Sequence, residues 1–312
     1  MHTIAFVVFP NFSLIGFAAI TAFETANAVL GEAVYEVTLL SEKGGAVRAS
    51  AGFEVNTQPF GDTVYGTVMF GSGLDTDFAS PGLGEFVRQS LKVSRRIAAP
   101  CTGAFVLAEA GVLNGKRATT HWRFAPELKR RYPDIDVEDD QIFIVDGALW
   151  TSAGMAATID LALAMIENDH GAETSRAVAR RLVVYHRRAG GQSQFSAILD
   201  IGPKSDRIQK ALDYASANLR ETLNVDALAE VASLSPRQFS RAFSAETGQS
   251  PAKAIERLRV EAARLMLEQG RHSMDVIARE VGLVDRERMR RAFLRTVGQS
   301  PQTVRGRGAT AR

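Results

Sequence analysis

Residues 98–111 read AAPCTGAFVLAEAG and hold the single cysteine of the chain, Cys101. The basic-led segment 95–99 runs into Pro100, Gly103 follows the cysteine by two positions, and small and apolar residues suited to a helix begin at once. A strand that turns directly into a helix lifts the residue at the turn clear of both, which is how an elbow displays a nucleophile. The stretch therefore predicts an α/β sheet domain around it and makes Cys101 the first candidate for chemistry.

Outward from the elbow the pattern alternates between strand-like and helix-like segments, as a parallel α/β sheet requires. Strands are predicted at 3–9, 35–40, 64–70, 95–99, 118–120, 142–145 and 149–152, and a helix at 18–30 closed by Gly31. Asp146-Gly147 joins the last two strands as a tight hairpin. An apolar helix over 155–168 follows, then a basic one running through His186. Residues 187–205 are rich in Gly, Ser and Gln and keep no period, so a linker is predicted at 191–203, after a first domain of 1–190.

The chain has 312 residues, 46% apolar and 23% charged, which suits two water-soluble domains. One cysteine excludes an internal disulfide. The start, MHTIAFVVFP, has no basic leader, and the apolar run 155–166 is short and broken by Asp160, so a cytoplasmic protein with no membrane partner is expected. No Cys/His cluster has metal-ligand spacing and no glycine-rich loop carries a phosphate cradle, so neither metal nor cofactor is expected. The net charge of +2 conceals a division. Up to residue 203 there are 17 Lys and Arg against 22 Asp and Glu; beyond it, 20 against 13. A basic last third points to a polyanion partner for that third alone.

That third contains a repeat. LAEVASLSPRQFSRAFSAETGQSP from Leu228 matches IAREVGLVDRERMRRAFLRTVGQSP from Ile277, with an offset of 49 in the first helix and 50 in the second. The extra residue falls in the turn, so each unit is a helix-turn-helix. Asn224, Ser273 and Ser235 suit N-caps, and Gly248 and Gly298 close the second helices. Phe239, Ala242 and Phe243, like Met289, Ala292 and Phe293, share one face by i, i+3, i+4 spacing and form the core. The opposite faces carry Arg237, Ser240 and Arg241 in the first unit, and Arg286, Glu287, Arg290 and Arg291 in the second. Arginine pairs bidentately with guanine or neutralises phosphate, and Glu287 can accept from cytosine N4, so double-stranded DNA is the expected partner. A helix between the units, with a stripe of Ile255, Leu258, Ala262 and Leu265, is predicted to hold the two recognition helices about one DNA turn, ~34 Å, apart. The domain is expected over 204–305, with a disordered tail at 306–312.

The last hundred residues resemble the DNA-binding domain of the AraC/XylS family of transcriptional regulators, on LAEVASLSPRQFSRAF, the two GQSP stretches and IAREVGLVDRERMRRAF. The first 170 resemble the PfpI/ThiJ-like, class I glutamine amidotransferase-like fold, on IAFVVFPNFSL, FGSG, PCTGAFVLAEAGVLNGKRATTHW and LWTSAGMAATIDLALAMIE. The resemblance implies a flavodoxin-like parallel-sheet sandwich followed by an all-α domain with two helix-turn-helix motifs. It implies a regulator, dimeric, in contact with RNA polymerase as an activator is, whose first domain senses a small-molecule effector such as an amino acid or quaternary amine. The sensing pocket would centre on Ser72, Gly73, Cys101, Thr102 and His121. Related hydrolases place a histidine after the cysteine and a carboxylate after the first strand; here those positions hold Thr102 and Gly16. His121 is the residue expected to approach the sulfur. A cysteine-dependent amidase or hydrolase with an appended DNA-binding module is the alternative, and Cys101 as a merely packed residue a further one.

Overall fold

The computed structural model describes residues 1–77, 80–184, 205–269 and 272–310. The chain divides into two compact units, Met1–Gln194 and Phe195–Arg312.

The first unit is built on an eight-stranded sheet. Its strands are β1 (His2–Val7), β2 (Tyr35–Ser41), β3 (Lys43–Arg48), β4 (Glu54–Pro59), β5 (Thr67–Phe70), β6 (Arg96–Pro100), β9 (Phe143–Asp146) and β10 (Leu149–Ser152). They lie in the order β3-β4-β2-β1-β5-β6-β10-β9. The run from β4 to β10 is parallel, whereas the edges β3 and β9 are antiparallel to their neighbours. Along the central strands, side chains alternate between two cores. Ala5, Val7, Val68, Phe70, Ile97 and Ala99 enter one, and Ile4, Phe6, Met69 and Ala98 the other. With both faces covered, alternation by polarity disappears and the strands read as continuous apolar runs. The helices α1 (Ala18–Leu30) and α5 (Ala157–Arg181) cover one face; α2 (Pro81–Val93), α3 (Gly103–Glu109) and α4 (Ala125–Arg131) cover the other.

Two details depart from the sequence reading and a third agrees with it. The hairpin of β3 and β4 lies where no strand is predicted, because KGGAVR and EVNTQP at a sheet edge bury little and carry no apolar pattern. The strand expected at 118–120 is instead β7 (Arg117–Ala118), paired with β8 (Asp136–Val137) in a separate two-stranded sheet. The helix expected to break after 168 does break, at Gly171, whose φ of 83° interrupts α5.

The second unit is helical: α6 (Asp206–Ala217), α7 (Val225–Val231), α8 (Pro236–Thr247), α9 (Pro251–Gln269), α10 (Met274–Glu280), α11 (Arg286–Val297) and α12 (Pro301–Thr310). Asn224, Ser235, Ser273 and Asp285 cap the helices that follow them, Ser235 with Gln238 in a full capping box. Two cores form, one under α8 around Phe239 and Phe243 and one under α11 around Met289 and Phe293. The connecting helix α9 has 19 residues and spans about 28 Å. Its predicted single stripe is corrected. Ala254, Ile255 and Leu258 serve the first core, and Val260, Ala263 and Leu267 the second, leaving Ala262 and Leu265 half-buried. A helix shared by two cores must change its buried face along its length. α12 continues to Thr310 where the sequence reads as disordered tail; the predicted linker 191–203 lies outside the described residues.

Candidate functional site

The strand order reverses between β1 and β5, and in such sheets ligands bind at the carboxyl ends of the strands beside that reversal. Four of the five predicted pocket residues, Ser72, Gly73, Cys101 and Thr102, meet there. Thr102 donates its hydroxyl to Gly73 O (3.0 Å) and accepts from the Gly73 N–H (2.9 Å). Gly103 must lack a side chain, since a Cβ would lie 2.8 Å from both Phe70 O and Gly71 O. Ser72 is buried, and among the described residues its hydroxyl has no partner, while its carbonyl accepts from the Ser13 N–H at 2.7 Å.

Cys101 sits at the elbow with φ of 54°, the left-handed backbone of a displayed residue. Its N–H donates to Ser152 O at 2.8 Å, and its own carbonyl accepts the Thr120 hydroxyl at 2.7 Å. The residue is only 3% exposed. Burial pushes the thiol up to about 11, opposed only by a weaker hydrogen bond from the Thr102 backbone. Gly154 presses on the sulfur-bearing carbon so closely that a Cβ at 154 would fall 2.1 Å from Cys101 Cβ.

His121 lies beyond Gly154. It lines a cleft of about 200 Å³ with Trp122, Ile142, Gly154, Met155 and Ala156. Among the described residues no hydrogen bond joins it to the Cys101 sulfur, and His121 Nδ1 accepts from the Arg123 N–H at 3.3 Å. Burial first, then the Arg123 charge, lower its basicity and so favour the neutral imidazole. Trp122 stands at the cleft, 47% exposed. Sequence reasoning passed over Gly154, although SAGM before an apolar helix held a signal: a glycine at φ of 76° where a strand gives way to a helix.

At the opposite, amino-terminal end of the sheet lies a second polar cluster. Arg96 is 2% exposed and Asp169 0% by side chain. Arg96 Nη1 donates to Asp169 Oδ1 at 3.1 Å, Arg96 Nη2 pairs with Oδ2, Tyr35 donates to Oδ2 at 2.9 Å, and Arg95 pairs with Oδ1 at 2.9 Å. Burial alone would raise the Asp169 carboxyl, but Arg96, Tyr35 and Arg95 outweigh it and hold it below its ordinary value. Asp169 sits two residues before the Gly171 break, so this latch fixes where α5 changes direction.

In the second unit the predicted DNA faces are exposed. Arg237 and Arg241 are exposed on α8 with Ser240 half-buried between them, and no ion pair among the described residues holds either arginine. On α11 three of the four residues are linked to one another by charge, and the fourth pairs with the preceding helix. Glu287 accepts from Arg290 Nε (2.8 Å) and Nη2 (2.9 Å) and lies 3.5 Å from Arg291 Nε; Arg286 pairs with Asp275 at 2.5 Å. The extra residue of the second turn is Val284, at φ of 68°.

The sequence matches the DJ-1/PfpI family over residues 2–168 and a helix-turn-helix domain over residues 228–307. The chain belongs to the DJ-1/PfpI family, as one of its helix-turn-helix transcriptional regulators. This regulator is 28% identical to the HTH-type transcriptional regulator GlxA of Rhizobium meliloti, over 99% of this chain and 97% of that one. It is 31% identical to the HTH-type transcriptional regulator ArgR of Pseudomonas aeruginosa, over 74% and 71%. An AraC family transcriptional regulator from Pseudomonas putida matches the regulator's fold with TM-score 0.54 at 21% identity, over 58% of this chain and 100% of that one. Drosophila melanogaster DJ-1beta matches with TM-score 0.51 at 25% identity, over 59% and 99%. Among the described residues no helix is long and apolar enough to cross a membrane, and no group of three His, Cys, Asp or Glu is placed to hold a metal.

Proposed function

We propose that this regulator reads DNA with both helix-turn-helix units and that its first unit senses, without catalysis, a small zwitterionic or cationic amine in the cleft between His121, Trp122 and Met155. One observation carries the reading: the groups that would run cysteine chemistry are otherwise engaged. The Gly73 amide, which lies beside the elbow where an oxyanion donor would be needed, is bonded to Thr102 Oγ1, and a nucleophile needs a thiolate, a base and such donors together. The thiol is held protonated by burial. Gly16 stands at the position where related hydrolases carry a carboxylate, and a Cβ there would already lie 3.1 Å from the Phe6 ring. The hydrolase reading is accordingly not favoured.

The cleft suits an amine. An indole face attracts quaternary ammonium groups, and a neutral His121 does not repel them. The N-terminus of α5 opens on the cleft at Met155–Ala157 with no side-chain cap, and its dipole favours a carboxylate at the other end of the ligand. We assign residues 1–190 to sensing, 191–203 to the linker and 204–305 to DNA binding. The regulator works in the cytoplasm as a homodimer that contacts RNA polymerase. Titration calorimetry of the full chain against glycine betaine, carnitine and the free amino acids tests the sensing claim. Binding of one of them, lost in Trp122→Ala, is expected; no heat from any, or undiminished binding by that variant, would overturn it.

A further inference from the structure

A second cleft, of about 380 Å³, opens beside the second recognition helix, between α9, the turn before α11 and the flank of α11. Its charged lining is Arg259, Arg288, Arg291 and Arg295 against one carboxylate, Glu256. Four guanidinium groups around one acid repel each other unless an anion joins them. The local pairs do not cancel this. Arg295 is held by Glu256 (2.7 and 3.1 Å), but Arg288 reaches Asp285 only at 3.8 Å, and Arg291 shares Glu287 at 3.5 Å with the tighter-bound Arg290.

The floor of the cleft is built. Arg259 donates to Leu219 O (3.1 Å) and Glu221 O (2.8 Å), beneath Gly282. A Cβ at Gly282 would lie 2.2 Å from Leu219 O and 2.9 Å from Arg259 Cζ, and the residue takes φ of 71°. On α11, positions 288, 291 and 295 follow i, i+3, i+7 and so form one stripe, beside the face of 287, 290 and 291. Arg291 belongs to both.

We propose that this cleft is a phosphate clamp: Arg288, Arg291 and Arg295 hold the DNA backbone strand that borders the major groove entered by α11, fixing the register of the second unit. The proposal rests on the DNA-reading function of α11. Guanidinium forks match phosphate oxygens bidentately, and contacts to backbone position a protein without selecting sequence. Glu256 then acts against binding, by competing for Arg295.

The test uses the full chain and a duplex of random sequence, about 30 base pairs, with affinity measured by anisotropy between roughly 50 and 200 mM salt. Arg288→Gln with Arg295→Gln is expected to flatten the slope of log affinity against log salt by about 0.9 for each lost contact, near 1.8 together. Its preferred sequence is expected to be unchanged. Glu256→Gln is expected to do the opposite, binding more tightly with a steeper slope, which loss of folding does not produce. Parental slope and affinity in the double variant, or no tightening in Glu256→Gln, would overturn the clamp. Arg237→Ala on α8 separates the two readings: if it weakens binding while the double variant does not, only the clamp fails; if neither does, the DNA reading fails with it. Inorganic phosphate titrated calorimetrically into the full chain tests the other source. Binding abolished in the double variant, with the DNA slope untouched, would make this a free-anion site and refute the clamp.

Discussion

The single cysteine makes the state of the elbow directly measurable, since every thiol reagent reports on Cys101 alone. A thiol pushed up to about 11 leaves roughly one molecule in ten thousand as thiolate at pH 7, against about 3% for an unperturbed cysteine near 8.5. Ionisation alone thus slows alkylation about 300-fold relative to a small model thiol, and burial at 3% exposure slows it further. The assay is iodoacetamide labelling of the native full chain followed by mass spectrometry, from pH 7 to pH 10, with the chain unfolded in guanidinium chloride as reference. The expected result is a rate that climbs about tenfold per pH unit across that range without levelling, because the thiolate fraction does so until the pH nears the pKa. The unfolded reference levels off above about pH 9. Native labelling as fast as the model thiol, or a plateau below about pH 8, would mean a thiolate stabilised by a group not seen at the elbow. The non-catalytic account of Cys101 would then fall.

Asp169→Asn leaves Arg96 buried opposite a neutral amide and is expected to cost about 3 to 5 kcal/mol in chemical denaturation of the first unit; a loss under about 1 kcal/mol would contradict the latch. Because the folded carboxyl lies below its unfolded value, its stabilisation is full above the unfolded pKa of ~3.9 and is lost as pH falls through the lower folded value. The variant should therefore lose less stability than the parent between about pH 5 and pH 2.5. Val284, a β-branched residue 59% exposed in left-handed backbone, is strained, so Val284→Gly is expected to raise the stability of the second unit by about 1 kcal/mol; destabilisation of that size would deny the strain. Gly154→Ala drives a methyl into Cys101 and should both lower stability by about 1 to 3 kcal/mol and abolish binding of the proposed amine effector; full effector binding in a folded variant would separate the elbow from the cleft.

How much was legible in the sequence depended on how each residue earns its place. The repeat in the last third was legible to the residue, because caps, turn glycines and paired phenylalanines are local signals: Asn224, Ser235 and Ser273 cap as their spacing implies. The central strands were legible because burial on both faces makes them continuous apolar runs. The β3–β4 hairpin was not, since an exposed edge needs no apolar pattern. The elbow and its partners Gly73 and Thr102 followed from motif, but the cleft beside them did not. His121, Ile142 and Met155 meet only once the sheet has formed, and the cleft's boundary is a contact between Gly154 and Cys101 that no spacing encodes. The Arg96–Asp169 latch was invisible for the same reason: 73 residues separate its partners, and an arginine inside a strand reads as an edge charge until both faces are known to be covered. On α9 the single stripe failed because one helix serves two cores.

The most direct test of the central claim, that one chain reads DNA with both helix-turn-helix units, is selection of duplexes from a random pool by the full chain, repeated with Arg241→Ala and with Arg291→Ala. The account predicts a two-part site with half-motifs about 10 base pairs apart, each variant losing about 1 to 3 kcal/mol and relaxing one half while the other is kept. A one-part site, or both variants recovering the parental sequence at parental affinity, would contradict it.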